Sequence, residues 1–285
     1  MGSGFYPVNI DIAMTGHYFE NALVKLHYYK FGSGRQNMLC FHGYGMHGKQ
    51  FTILEESLGS KYTFYGFDLF FHKETKLKDQ SLAAVKKGIT KTELADFIRD
   101  FCRHESIEHF SVIGYSMGTH YATAITEELP EMVDEYIVAA PMCLEPGALI
   151  TFFSRNKAGN KILEKFALSE KALPTLLKLT KRLRFIDASA YKILYHEVNT
   201  PELRFNFYAN FTYLRFLETN ETRLLQVLAT QNIKSIFIFG KHDKNFPRGK
   251  DTFILALKHA EIVVLNESHQ MINQNFASKL SGLLS

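Results

Sequence analysis

Cysteine is scarce and unpatterned in this chain of 285 residues: only Cys40, Cys102 and Cys143 occur, with no C-x-x-C spacing. An odd, sparse set excludes a disulfide framework and favours a reducing compartment, so a cytoplasmic location is expected. All three lie in or beside apolar segments, as buried thiols do, and none stands at a strand-to-helix turn where it could serve as a nucleophile. Long hydrophobic runs are missing too. No stretch approaches the ~18 apolar residues of a membrane span, and no basic segment followed by an apolar one opens the chain. Internal repeats are also absent.

What the chain does have is apolar bulk. With 46% hydrophobic and 22% charged residues, it can bury a large core as one domain plus an insertion, and disorder is excluded. Apolar runs at 37–40, 62–67, 110–113, 135–140, 235–240 and 261–265 read as strands, and 22–31 reads as an edge strand or hairpin. Helical patterns at 49–59, 90–105, 119–128 and 270–284 alternate with them. That alternation implies an α/β fold with a mostly parallel sheet, the first strands being antiparallel. From 143 to 231 the alternation stops and the pattern is helical. The expected organisation is a core over 1–142 and 232–285, with a helical insertion at 143–231.

One pentapeptide carries more chemistry than the rest. Gly114-Tyr115-Ser116-Met117-Gly118 follows the strand at 110–113 and precedes the helix at 119–128, the setting of a nucleophile elbow. Such a turn holds its serine in a strained backbone conformation, and small flanking residues let neighbouring main chain approach. The bland alternative is a glycine-bounded turn whose serine caps the helix.

Two further residues sit just beyond strand ends. Asp243 follows the strand at 235–240, and His269 follows the strand at 261–265. Open α/β sheets gather ligand chemistry at the carboxyl ends of their strands, so Ser116, Asp243 and His269 are expected to converge. Asp243 could otherwise be a turn aspartate ahead of Asn245 and Pro247, and His269 a helix N-terminal residue. His242 is the nearest rival base, but it would have to bond the carboxylate of its own neighbour.

The loop Phe41-His42-Gly43-Tyr44-Gly45-Met46-His47-Gly48-Lys49 follows the strand at 37–40 and has two readings. In a serine hydrolase it would supply the Tyr44 N–H to an oxyanion hole, Met117 supplying the other. Alternatively Gly43, Gly45 and Gly48 spell G-x-G-x-x-G, and Asp68 stands twenty positions after Gly48 at the end of the next strand. That is the fingerprint of a nicotinamide- or flavin-dependent oxidoreductase. It leaves Ser116, Asp243 and His269 without a role. A P-loop reading fails because Gln50 stands where Ser or Thr should hold magnesium.

Together these residues resemble the α/β-hydrolase fold family, in its single-domain form with a helical cap. His42 and Gly43 are similar to the family's first loop, and Asp68, Leu69 and His72 to its second. Ser116, Asp243 and His269 match the family's nucleophile, acid and base in chain order. Phe71 and Lys73 stand where the second loop usually has glycines, and Thr119 and His120 where another glycine usually follows the elbow. The resemblance implies an eight-stranded, mostly parallel sheet and acyl transfer through a covalent serine ester, with no metal or organic cofactor.

The insertion would then lie over Ser116 as a cap. Residues 151–230 hold 13 Lys and Arg against 7 Asp and Glu, a net +6, whereas the remainder is −2. Attraction to an anionic substrate or membrane surface is one reading; an ordinary amphipathic helix pair with a solvated face is preferred, and nucleic acid is not expected. The cap also crowds Phe205, Phe207, Tyr208, Phe211, Tyr213 and Phe216 together, with 207, 211 and 214 on one helical face. Rings facing Ser116 would make an apolar pocket and favour a small or medium carboxylic ester, or a neighbouring thioester or amide, as substrate. A hydrolase-like binding protein without turnover is the remaining alternative.

Overall fold

The computed structural model describes residues 14–144, 146–183, 191, 195–196, 198–243, 257 and 260–285. Asn245 and Pro247 of the expected turn lie outside the described residues, as do residues 184–190 of the 143–231 segment.

Among the described residues nine strands form one sheet: β1 (Gly16–Glu20), β2 (Val24–Gly32), β3 (Gln36–Phe41), β4 (Tyr62–Phe67), β5 (Lys76–Leu77), β6 (Phe110–Tyr115), β7 (Val133–Ala139), β8 (Lys234–Gly240) and β9 (Ala260–Leu265). The main path runs β1-β2-β4-β3-β6-β7-β8-β9, and β5 pairs with β2 off this path. The expected count of eight holds for the path alone. The two-residue β5 has too little sequence to show a period, and it exists because Val24 and Lys25 offer β2's open edge to Leu77 and Lys76. Pairing is antiparallel among β1, β2 and β4 and parallel from β4 to β9.

The parallel strands are near-continuous apolar runs because both faces of the sheet are covered. Alternate residues enter separate cores: Leu39, Phe41, Val112, Val138 and Phe237 on one side, and Met38, Cys40, Ile113, Ile137 and Ile236 on the other. The first side is covered by α3 (Lys91–Glu105) and α4 (Gly118–Glu128), whose Phe97, Ile98, Phe101, Tyr121 and Ile125 join that core. The second is covered by α10 (Gln274–Leu284) through Phe276, Ala277, Leu280 and Leu284.

Two helices differ from their sequence patterns for local reasons. The segment expected as a helix at 49–59 is a 3-10 turn, Gly48–Leu54, followed by the short α1 (Glu55–Leu58); the His47 side chain accepts the Lys49 N–H and starts the turn. The last helix begins at Gln274 rather than 270, because Asn273 caps it by accepting the Phe276 N–H at 3.0 Å. Residues 270–273 are thereby left to the loop that carries His269. Ahead of α3, α2 spans Leu82–Lys87.

Between β7 and β8 the described residues form α5 (Ala148–Arg155), α6 (Lys157–Leu168), α7 (Ala172–Arg182), α8 (Pro201–Tyr213) and α9 (Glu221–Thr230). Leu163, Tyr208 and Tyr213 from these helices join the core on the α3 and α4 side.

Candidate active site

β6 is buried along its whole length and runs directly into Ser116, whose φ of 51° is left-handed. An L-residue there carries strain on the order of 1–2 kcal/mol, which the surroundings must hold in place. They do so through main-chain bonds. The Ser116 N–H donates to the Ala139 carbonyl at 2.9 Å, and the Ser116 carbonyl accepts from the Thr119 N–H at 3.1 Å and its Oγ1 at 2.5 Å. The flanking glycines have a steric cause: a Cβ on Gly118 would sit 2.0 Å from the Phe41 carbonyl oxygen, and one on Gly114 2.7 Å from the Gly118 carbonyl oxygen.

Ser116 Oγ lies 2.9 Å from His269 Nε2, and His269 Nδ1 lies 2.7 Å from Asp243 Oδ2. A carboxylate only accepts, so Nδ1 carries the proton and Nε2 is left as the acceptor facing the serine hydroxyl. Asp243 is buried while a third of the His269 side chain is exposed, 4% against 34%, so the pair is anchored from inside and open on the histidine's side. The rival base, His242, bonds Asn266 Oδ1 at 3.0 Å in an exposed position.

Three contacts around this relay have no signal in the sequence. Tyr115 donates its hydroxyl to the His269 carbonyl at 2.7 Å, across 154 positions. Gly240 lets the same loop pass overhead, since a Cβ would meet the Ser268 carbonyl oxygen at 2.6 Å. Met142 Sδ approaches Ser116 Oγ at 3.3 Å.

The loop after β3 is pinned by two neutral histidines. His42 accepts the Leu69 N–H at 3.1 Å and donates through Nδ1 to the Gly43 carbonyl at 2.7 Å. His72 accepts the Gly45 N–H at 3.1 Å and donates to the Phe70 carbonyl at 2.9 Å. Burial holds the His42 imidazole well below the usual histidine range, with His72 adding to the effect, and burial lowers His72 to about 4. Gln50 Oε1 accepts the Gly43 N–H at 2.9 Å. Tyr44 and Met117 line the same cavity as Ser116. Met117 precedes α4 directly, so its N–H is among those at a helix start that have no partner within the helix.

Phe71 and Lys73, standing where the resembled loop has glycines, adopt φ of 62° and 47°. The backbone there is glycine-like although the residues are not. The outcome places His72 between two left-handed neighbours and aims it at Gly45.

The dinucleotide reading of Gly43, Gly45, Gly48 and Asp68 is overturned by what these residues touch. A Cβ on Gly43 would strike the Tyr115 ring at 2.7 Å and one on Gly48 the Gly66 carbonyl oxygen at 2.2 Å, while Gly45 takes a φ of 74°. Asp68 is fully buried; its Oδ1 accepts the Gly48 N–H at 2.8 Å and its Oδ2 meets His27 Nδ1 at 2.7 Å. Both carboxylate oxygens are committed inside the protein and cannot meet a ribose. The glycines pack the loop on β4 and the elbow, and a 3-10 turn stands where the phosphate-binding helix would begin.

A cavity of about 270 Å³ opens beside Ser116. Phe207, Phe211 and Leu214 line it from α8 and the turn beyond, and Met142 and Ile150 line it as well. The face shared by 207, 211 and 214 therefore meets the cavity, while Tyr208 is buried in the core and Phe216 is exposed. His120 also lines the cavity, its ring lowered to about 4 by burial and the nearby Arg155 cation against a hydrogen bond to the Leu217 carbonyl. It faces the cavity as a neutral imidazole.

Fold and site together define an α/β-hydrolase, and sequence comparison agrees. The model of the alpha/beta hydrolase fold family matches residues 36–269, and the chain belongs to that family. The chain is 26% identical over 132 residues to the dihydrolipoyllysine-residue acetyltransferase component of the acetoin cleaving system of Cupriavidus necator. That match covers 46% of this chain and spans 33% of the relative's length. A carboxylesterase structure from Nitrososphaera gargenis superposes with a TM-score of 0.63 at 19% identity, covering 95% of this chain and 97% of that one. The thioesterase domain from the curacin biosynthetic pathway gives 0.61 at 16%, covering 95% and 99%. MGS-M2, an alpha/beta hydrolase enzyme from a deep-sea metagenome library of the Medee basin, gives 0.67 at 15%, covering 94% and 97%. Among the described residues, no helix is long and apolar enough to cross a membrane.

Proposed function

We propose that this chain is a serine hydrolase that cleaves a small or medium carboxylic ester through an acyl-enzyme, with thioesters and amides as neighbouring substrates. The observation that carries the reading is the relay from Ser116 Oγ to His269 Nε2 at 2.9 Å and from His269 Nδ1 to Asp243 Oδ2 at 2.7 Å. Ser116 Oγ attacks the carbonyl carbon as His269 Nε2 takes its proton, and Asp243 holds the imidazole in the useful tautomer and stabilises the imidazolium. The Tyr44 and Met117 N–H groups receive the oxyanion. Collapse breaks the bond to the leaving alcohol, which takes the proton from Nε2. Water then attacks the acyl carbon by the same route and frees Ser116.

In this reading residues 143–231 act as a cap and the cavity holds the acyl group. The apolar lining from Phe207, Phe211 and Leu214 favours an apolar acyl or aromatic part. A cavity of about 270 Å³ suits small and medium acyl chains.

Labelling with a fluorophosphonate probe, read by intact mass and peptide mapping, tests this. Stoichiometric modification at Ser116, abolished in Ser116→Ala and His269→Ala, is expected, together with hydrolysis of a 4-nitrophenyl ester panel that peaks at short or medium chains. A folded wild-type protein that takes no label would overturn the reading.

A further inference from the structure

We propose that the outward face of α5, α6 and α7 is a peripheral docking surface for an anionic lipid bilayer. Thirteen large apolar side chains are exposed among the described residues, and eight of them fall between Leu149 and Leu183. Scattered exposed apolar residues need no explanation, but such concentration in one short segment does.

In α6 and α7 part of each helix is already buried against the fold. In α7, Leu173 is buried, while Leu176 and Leu179, and Leu183 just past the helix end, are exposed at i, i+3 and i+7 spacing. In α6, Gly159, Leu163 and Ala167 are buried, while Ile162 and Phe166 form an exposed i, i+4 pair. The exposed residues widen each buried stripe well beyond the part that packs against the fold. An ordinary amphipathic helix pair, the reading preferred from the sequence, would show a polar outer face instead.

Charge identifies the occupant. Residues 148–182 carry 8 Lys and Arg against 2 Asp and Glu, whereas 183–230 carry 5 against 5, so the cationic excess belongs entirely to these three helices. Lys161, Lys165, Lys178 and Arg182 are exposed. Among the described residues none of the four pairs with a carboxylate. Lysines set among exposed leucines and phenylalanine on amphipathic helices match a bilayer interface, where apolar side chains enter the acyl boundary and cations meet anionic headgroups. A second copy of this chain would bring like charge against like charge on the same face. The surface also continues into the cavity: Ile150 and Arg155 of α5 line it, while Leu149 and Phe152 of that helix are exposed. An apolar ester dissolved in the bilayer would meet this helix beside the cavity. That last step rests on the proposed hydrolase; docking itself does not.

The test measures binding of the full-length Ser116→Ala protein to phosphatidylcholine vesicles with and without phosphatidylglycerol, by flotation at low and high salt. Binding to the anionic vesicles, little to the neutral ones, and loss of binding with salt are expected. Lys178→Gln and Arg182→Gln should each lower the partition coefficient about fivefold. The double change Leu176→Ser and Leu179→Ser should lower it by more than tenfold, while leaving Tm and, in the Ser116 background, the hydrolysis of a water-soluble ester unchanged. Three outcomes overturn the proposal: no binding to anionic vesicles, equal and salt-independent binding to both kinds, or a wild-type dimer in solution that the leucine changes convert to monomer. Because binding is read without turnover, failure to bind leaves the hydrolase reading standing, and absence of fluorophosphonate labelling leaves docking standing.

Discussion

Tyr115→Phe isolates a single hydrogen bond that positions the proposed base. The Tyr115 hydroxyl donates to the His269 carbonyl at 2.7 Å, and the two rings lie 5.6 Å apart. Burial and the nearby Asp243 charge push the phenol above its usual range, so it stays a neutral donor at any working pH. Removing the oxygen keeps the ring, which also packs beneath Gly43, and leaves one carbonyl of the histidine loop unpaired. A neutral hydrogen bond of this kind contributes about 0.5–1.5 kcal/mol. If that energy holds His269 in line with Ser116, its loss lowers the aligned population and kcat by about two- to thirteenfold. Substrate binding is untouched, so KM should hold. Steady-state kinetics on a short ester and the rate of fluorophosphonate labelling should fall by the same factor, because both report Ser116 activation. Unchanged kcat together with an unchanged labelling rate would refute the reasoning and show that ring packing alone fixes the loop. A raised KM at constant kcat would place Tyr115 in substrate binding instead.

Other perturbations have equally definite outcomes. His72 and His120 are lowered to about 4 by burial, so the unfolded chain takes up their protons first as pH falls. Stability should thus be unaffected by them above about 6.5 and decline between about 6.5 and 4, by up to ~1.4 kcal/mol per pH unit for each group. Urea midpoints of wild type and His120→Gln across that range should differ in slope by roughly one such contribution. Asp68→Asn turns an amide N–H₂ toward either the Gly48 N–H or the His27 Nδ1–H, both of which now donate to the carboxylate. A loss of about 1.5–3 kcal/mol is expected, seen as a lower Tm, with no binding of nicotinamide dinucleotide by either protein in calorimetry. Phe211→Ala removes one ring from the cavity wall and should raise the kcat/KM ratio of longer over shorter acyl esters by about tenfold. An unaltered chain-length profile would place the acyl group elsewhere.

The strands and the elbow were legible because their causes are local. Burial on both faces writes a strand as a continuous apolar run, and β4 and β8 were readable to within a residue. Gly114, Ser116 and Gly118 carry a backbone requirement into the residue types themselves. Chain order then offered Asp243 and His269 as partners, although only the sheet, with β6, β7, β8 and β9 side by side and parallel, explains why residues 153 positions apart come within 2.9 Å. The Gly43-Gly45-Gly48 spacing could not decide between two chemistries. A glycine that admits a pyrophosphate and a glycine that admits the Gly66 carbonyl look alike in sequence, and the difference lies in the atom that approaches.

Side-chain partnerships across long separations were not legible. Tyr115 with His269, His72 with Gly45 and Asp68 with His27 depend on which loops the sheet brings together. The same holds for the helices of residues 143–231. Their pattern and cationic excess follow from composition and period, but an amphipathic pattern gives only the width of an apolar stripe. Tertiary packing decided which part of that stripe is spent on the core, with Leu173 inside and Leu176, Leu179 and Leu183 left facing outward.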